Sequence, residues 1–223
     1  MDRWLPIYHD ICMDFGFSEI DDQESALLLS SLAGWKSRPS LESILRQGVP
    51  SSAVLCGGGD TLASDMKSLA WHGLVIAADG ATSTLVAMDI RPDIIVTDLD
   101  GAVEDQIRVN AEGGVVFVHA HGDNKEAIRQ YVPQFIGKIV CTCQCPPVEG
   151  VLNFGGFTDG DRAACIAAAI GVRTIRLAGF DFKNPSSKSG KSSEAKARKL
   201  VWAKRILSML ADEGVDIEPP LPI

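Results

Sequence analysis

Five times this chain runs a short, mostly apolar strand candidate into glycine plus aspartate or histidine, and that recurrence constrains the fold more than any single motif. The stretches cover residues 75–78, 94–96, 115–118, 151–154 and 174–178. They lead into Asp79-Gly80-Ala81, Thr97-Asp98-Leu99-Asp100-Gly101, His119-Ala120-His121-Gly122-Asp123-Asn124, Gly155-Gly156-Phe157-Thr158-Asp159-Gly160-Asp161-Arg162 and Gly179-Phe180-Asp181. A sixth run, 53–56, ends in Gly57-Gly58-Gly59. Short apolar runs without alternation read as strands buried on both faces. Helices are predicted over 62–72, 81–88, 125–132, 161–170 and 193–213, so strands and helices alternate from residue 52 onward. This alternation predicts an α/β protein, a Rossmann-like wound and mostly parallel sheet with helices on both faces. In such a sheet the ligand sits outside the carboxyl ends of the strands. Chance turn chemistry accounts well for one polar tip and poorly for five.

The first fifty residues differ. Residues 25–33 and 41–46 read as helices, the second with Ser40 as N-cap, and Gly34, Pro39, Gly48 and Pro50 punctuate the segment. The chain is therefore divided into a helical N-terminal lobe, 1–50, and an α/β catalytic domain, 51–223. The lobe is expected to shield the sheet or to form a homodimer contact. A length of 223 residues with 46% hydrophobic content suits one large α/β domain with an appendage. The net charge of −8 argues against a general nucleic-acid binder. No apolar run is long enough for a membrane span, and residues 1–6 do not resemble a secretory signal, so a cytoplasmic location is expected. Cys141, Cys143 and Cys145 alternate, which in a strand puts three thiols on one face. No second pair completes a zinc tetrahedron, and the other cysteines read as small buried hydrophobes.

Asp98 and Asp100 lie two residues apart just past a strand end, which turns both carboxylates to one side of extended backbone. Two like charges so close are costly unless a cation lies between them, and a carboxylate-held Mg²⁺ commonly carries nucleotide phosphates. The bland alternative is a polar turn. Gly57, Gly58 and Gly59, between a strand and a helix, let backbone approach a phosphate, although the lysine of a P-loop is missing. Thr158, Asp159 and Arg162 offer a hydroxyl, a carboxylate and a guanidinium at one helix start, where Asp159 or Asp161 would also cap. His119 and His121 flank a tip and could donate to phosphate. The basic, serine-rich stretch 183–191, with Lys188, leaves directly from a strand tip and could close over a triphosphate.

At these residues the chain resembles the archaeal-type 6-hydroxymethyl-7,8-dihydropterin diphosphokinases, a family related to thiamine diphosphokinase. The resemblance covers about 55 to 182. It is carried by Ala78-Asp79-Gly80-Ala81, by Pro92-Asp93 through Asp98-Leu99-Asp100-Gly101, by His119 through Asn124, by Gly156 through Arg162 and by Ala178 through Phe182. It implies transfer of diphosphate from ATP to a primary hydroxyl of a small heterocycle, a pterin in preference to thiamine, with release of AMP and with Mg²⁺ as cofactor. It implies Asp98, Asp100 and Asp123 as catalytic and metal-binding residues, with Asp79 close by. Gly57–Gly59, Asp79, His121, Thr158, Asp159, Arg162 and Lys188 would hold the nucleotide. Asp159, Asp161 or Asp181 could instead bond the pterin's aminopyrimidine edge. Thr97 and Gly101 depart from the thiamine pattern, which has glycine and serine there, and no set of strands follows Asp181 for that family's β-sandwich. The competing readings are a thiamine diphosphokinase without its second domain, a nucleotide-sugar glycosyltransferase of the flagellin-modifying type, and a non-catalytic nucleotide-binding module.

Overall fold

A computed structural model describes residues 3–182 and 193–219. Two helices open the chain, α1 (Trp4–Phe15) and α2 (Glu19–Gln47). Strands and helices then alternate: β1 (Ser52–Cys56), α3 (Leu62–Ser68), β2 (Leu74–Ala78), α4 (Ala81–Ala87), β3 (Ile94–Thr97), α5 (Val103–Ala111), β4 (Val115–Ala120), α6 (Lys125–Tyr131) and β5 (Ile139–Cys143). The chain crosses back through α7 (Asp159–Ile170) to β6 (Thr174–Ala178), and α8 (Ser193–Asp212) leads to β7 (Asp216–Glu218). The seven strands form one sheet in the order β5-β4-β3-β2-β1-β6-β7, with every pairing parallel. The order reverses at β1, so the topological switch lies between β1 and β6. No described helix is long and apolar enough to cross a membrane.

Successive strand residues feed two separate cores, as the alternation of side chains demands. Val54, Val75, Ile95, Val116 and Cys141 pack with Ile7, Tyr8, Ile11, Leu29 and Ile128 on one face. Leu55, Ile76, Val96, Phe117 and Val140 pack with the alanine-rich α7 and with Leu207 of α8 on the other. The N-terminal helices thus share a core with the sheet.

The sequence expectation fails at α2 and at residues 151–154. Instead of two helices broken at Gly34 and Pro39, α2 is continuous, and Ser40 lies buried inside it instead of capping it. Pro39 and Trp35 lie on the solvent side, where water can take the carbonyl that proline leaves without a donor. Gly34 is a packing residue: a Cβ on Gly150, itself at φ +73°, would stand 2.7 Å from the Gly34 carbonyl oxygen. The small face of α2 covers the edge of β5, where Ser37 Oγ accepts the Cys141 N–H at 2.8 Å. Residues 151–154 form no strand. Leu152 makes a single bridge to Thr142, and Gly155 and Gly156 then turn away with positive φ. The edge strand is β5, which carries Cys141 and Cys143; Cys145 lies just past its end. All six cysteines are buried free thiols.

Candidate active site

The tips of β2, β3 and β4 converge on one spot at the carboxyl edge. Oxygens of Asp79, Asp98 and Asp100 all lie within 4.8 Å of one another. The backbone is contorted to achieve this: Asp79 has φ +40° and Leu99 has φ +70°. Positive φ outside glycine marks a position that its surroundings enforce, and such positions cluster at functional sites. Asp79 Oδ1 accepts the Thr97 hydroxyl at 2.7 Å and Gln106 Nε2 at 2.9 Å. Its Oδ2 lies over Gly101, where a Cβ would stand only 2.3 Å away. Thr97 Oγ1 in turn accepts the Leu99 N–H at 2.9 Å, which stabilises the strained turn.

Asp98 is held as firmly. His121 Nε2 lies 3.2 Å from its Oδ2, and Asn124 Nδ2 donates to the Asp98 carbonyl at 2.8 Å and to that of His119 at 2.7 Å. Burial pushes the Asp98 carboxyl up, but the His121 hydrogen bond and charge, the Arg162 charge and the Asp100 N–H outweigh it and hold it at about 2. Asp159 behaves in the opposite way. Burial and the charge of Asp98 raise its proton affinity well above the ordinary carboxylate range, against the opposing pull of Arg162, with Asp79 and Asp100 adding to the rise. Asp159 therefore belongs to the same electrostatic group, at the N-terminus of α7.

The remaining predicted residues are distributed differently. Asp123 is exposed and outside the carboxylate group; its backbone N–H donates to His121 Nδ1 at 3.3 Å, and Asp79 takes its place among the three. Arg162, 3% exposed, is committed inward to Asp159 Oδ1 and the Phe157 carbonyl, both at 2.8 Å, and does not present its fork to solvent. The Thr158 hydroxyl donates to Asp161 Oδ2 at 2.5 Å, and Asp161 also accepts the N–H groups of Phe157 and Thr158, so both residues serve the capping box of α7. Burial raises Asp161, opposed by these bonds. His119 is buried against Thr142, and burial keeps it neutral. Asp93 caps the other end of the sheet, accepting the Val75 N–H at 2.8 Å.

At the switch point, two of the three glycine N–H groups are already used. Gly57 donates to the Ala178 carbonyl at 2.8 Å and Gly59 to that of Gly179 at 2.9 Å. Asp181 lines a groove of about 640 Å³ with Phe180, Phe182 and Asp65. Lys188 and the 183–191 stretch lie outside the described residues. Sequence reasoning missed Gln106 and Asn124. The first stands on α5, a helix not recognised although Val103, Gln106 and Val109 are buried at helical spacing; the second closes the His119–Asn124 stretch, where nothing local marks it as a clamp on another strand tip.

A sequence family described as 6-hydroxymethylpterin diphosphokinase MptE-like matches residues 26–187. The chain belongs to this family. Three relatives bear the name 6-hydroxymethyl-7,8-dihydropterin pyrophosphokinase. That of Methanothermobacter thermautotrophicus is 42% identical, with 95% of each chain covered. That of Pyrococcus furiosus is 36% identical over 96% of this chain and 95% of the relative. That of Methanocaldococcus jannaschii is 32% identical over 98% of both. Among solved structures, the MAf glycosyltransferase from Magnetospirillum magneticum aligns with a TM-score of 0.49 at 17% identity, covering 78% of this chain. The chain spans about a third of that protein, 34% of its length. The family match spans β1 to β6 and thus includes every residue of the carboxylate edge.

Proposed function

We propose that this protein transfers diphosphate from ATP to the hydroxymethyl group of 6-hydroxymethyl-7,8-dihydropterin, with Mg²⁺ as cofactor and AMP as the second product. The observation that carries the reading is the convergence of Asp79, Asp98 and Asp100 in a member of the MptE-like family. The names of the three relatives favour the pterin over thiamine as acceptor. Every donor in the group is a carboxylate oxygen, the chemistry that a hard divalent cation prefers, so the donor set fits Mg²⁺. When bound, the ion would neutralise and template the triphosphate.

The protein's own groups have three tasks. Thr97 and Gln106 fix Asp79, and His121 with Asn124 fixes Asp98, so the carboxylates that would hold the ion are preorganised. The pterin hydroxymethyl oxygen bonds to the β-phosphorus as the bond from that phosphorus to the oxygen bridging the α-phosphorus breaks, and AMP leaves with that oxygen. The hydroxyl proton needs an acceptor, a task for a carboxylate other than the three that would hold the ion. AMP release from Mg-ATP, measured with the dihydropterin and with thiamine, tests the reading. AMP is expected with the pterin alone; AMP with thiamine alone would replace the acceptor, and none with either would remove the diphosphokinase assignment.

A further inference from the structure

The reaction outlined above leaves the two amino-terminal helices without a part, yet one of their side chains reaches the site. Asp22, in the first turn of α2, is 3% exposed. A buried carboxylate is costly unless its oxygens are hydrogen-bonded. Here Oδ1 accepts the Gly122 N–H at 2.7 Å, while Oδ2 accepts the Tyr8 hydroxyl at 2.8 Å and Gln144 Nε2 at 2.7 Å. Gly122 belongs to the β4 tip, between His121 and Asp123. A Cβ on it would stand 2.9 Å from the Asp21 Cβ, so helix and turn are in direct contact. Lys125 adds pairs to Asp21 at 3.3 Å and Glu24 at 2.6 Å, which are exposed and weak. From Gly122 the path to the carboxylates is short, because His121 bonds Asp98 Oδ2 and Asn124 clamps the Asp98 carbonyl.

We infer that Asp22 is a positioning residue for the transfer reaction: through the Gly122 N–H it holds the β4 turn so that His121 and Asn124 keep Asp98 in register with Asp79 and Asp100. The inference rests on the diphosphokinase reading, and the hydrogen-bond pattern supplies its own control. Asp22→Asn turns one acceptor into a donor, which faces either Gly122 N–H or Gln144 Nε2 whichever way the amide lies. Tyr8→Phe removes a bond to the same carboxylate but leaves Gly122 held. The measurements are kcat, KM for the pterin, Tm, and Mn²⁺ binding followed by electron paramagnetic resonance without substrates. Asp22→Asn should lower kcat about tenfold or more with KM within about threefold, and weaken Mn²⁺ binding about threefold or more. Tyr8→Phe should lower Tm while kcat and Mn²⁺ binding stay within about twofold of wild type. Gly122→Ala, which drives a methyl against Asp21, should lower kcat and Mn²⁺ binding as Asp22→Asn does; both within about twofold of wild type would show that the β4 turn does not set Asp98 and would overturn the inference, even should Asp22→Asn fail to fold. Equal kcat and Mn²⁺ binding in Asp22→Asn and Tyr8→Phe would reduce Asp22 to a core acceptor and overturn the inference. A wild-type protein that binds Mn²⁺ but forms no AMP would sink the diphosphokinase reading instead, with the Mn²⁺ comparison still testing Asp22.

Discussion

Two stretches of the carboxyl edge carry the same glycine-and-aspartate signature and use it for opposite ends. At the β1 and β6 tips, Gly57 and Gly59 donate to Ala178 and Gly179, and backbone packs on backbone with no room for a methyl group. At the β2 and β3 tips three carboxylates crowd together, and hydrogen bonds from Thr97 and from His121 of the β4 tip hold them in place. At the switch point, where a wound sheet ordinarily opens a crevice, the glycine backbones pack against each other, and the three clustered carboxylates lie one and two strands from β1. Glycine at a strand tip permits close approach; what approaches is decided by the neighbouring strand.

The comparison breaks most visibly if the carboxylates prove dispensable. Asp79→Asn, Asp98→Asn and Asp100→Asn should each lower kcat by about 10²–10³-fold, the usual scale for one preorganised electrostatic group. Asparagine tolerates the φ of +40° at position 79, so Asp79→Asn should still fold, as circular dichroism would verify. The closed half predicts the reverse. Gly59→Ala would set a Cβ 2.5 Å from the Gly179 oxygen and should cost about 2–3 kcal/mol in urea unfolding, with turnover per folded molecule largely kept. An activity loss without a stability loss would show that the glycines meet substrate after all.

A smaller effect concerns pH. Asp98 is depressed from 3.8 to about 2, so its contribution to stability is full above the ordinary value and is lost as pH falls from about 3.8 towards 2. Unfolding of Asp98→Asn should lack that segment of the pH dependence; parallel curves would show that His121 does not hold Asp98. The smallest effect separates the carboxylates grouped by sequence spacing from those grouped by the fold. Asp123→Asn should change kcat by less than about threefold, because only its backbone contacts His121. A loss as large as that of Asp79→Asn would return Asp123 to the metal site.

Much of this architecture could be read before any coordinates. The runs at 75–78, 94–96 and 115–118 are strands because uninterrupted apolar residues suit burial on both faces, and 174–178 is one although the half-buried Arg176 interrupts it. Asp98 and Asp100 were legible because their spacing is local. Gln106 and Asn124 were not, because each acts on a residue from another element. The misreading at Gly34 has the same origin: a glycine that terminates a helix and a glycine that lets a helix lie on another backbone look alike in sequence.

The sequence by itself determined the alternation of elements, the parallel sheet and the presence of an acidic carboxyl edge, since these follow from periodicity and from residue types a few positions apart. Only the tertiary structure decided that Asp79 joins Asp98 and Asp100, that Arg162 and Thr158 turn inward, and that Asp22 reaches the β4 tip. Those outcomes depend on strand order and on which backbones approach one another. Hydrogen bonds and charge interactions act over a few ångströms of space, and only strand order and helix packing bring residues distant along the chain within that range.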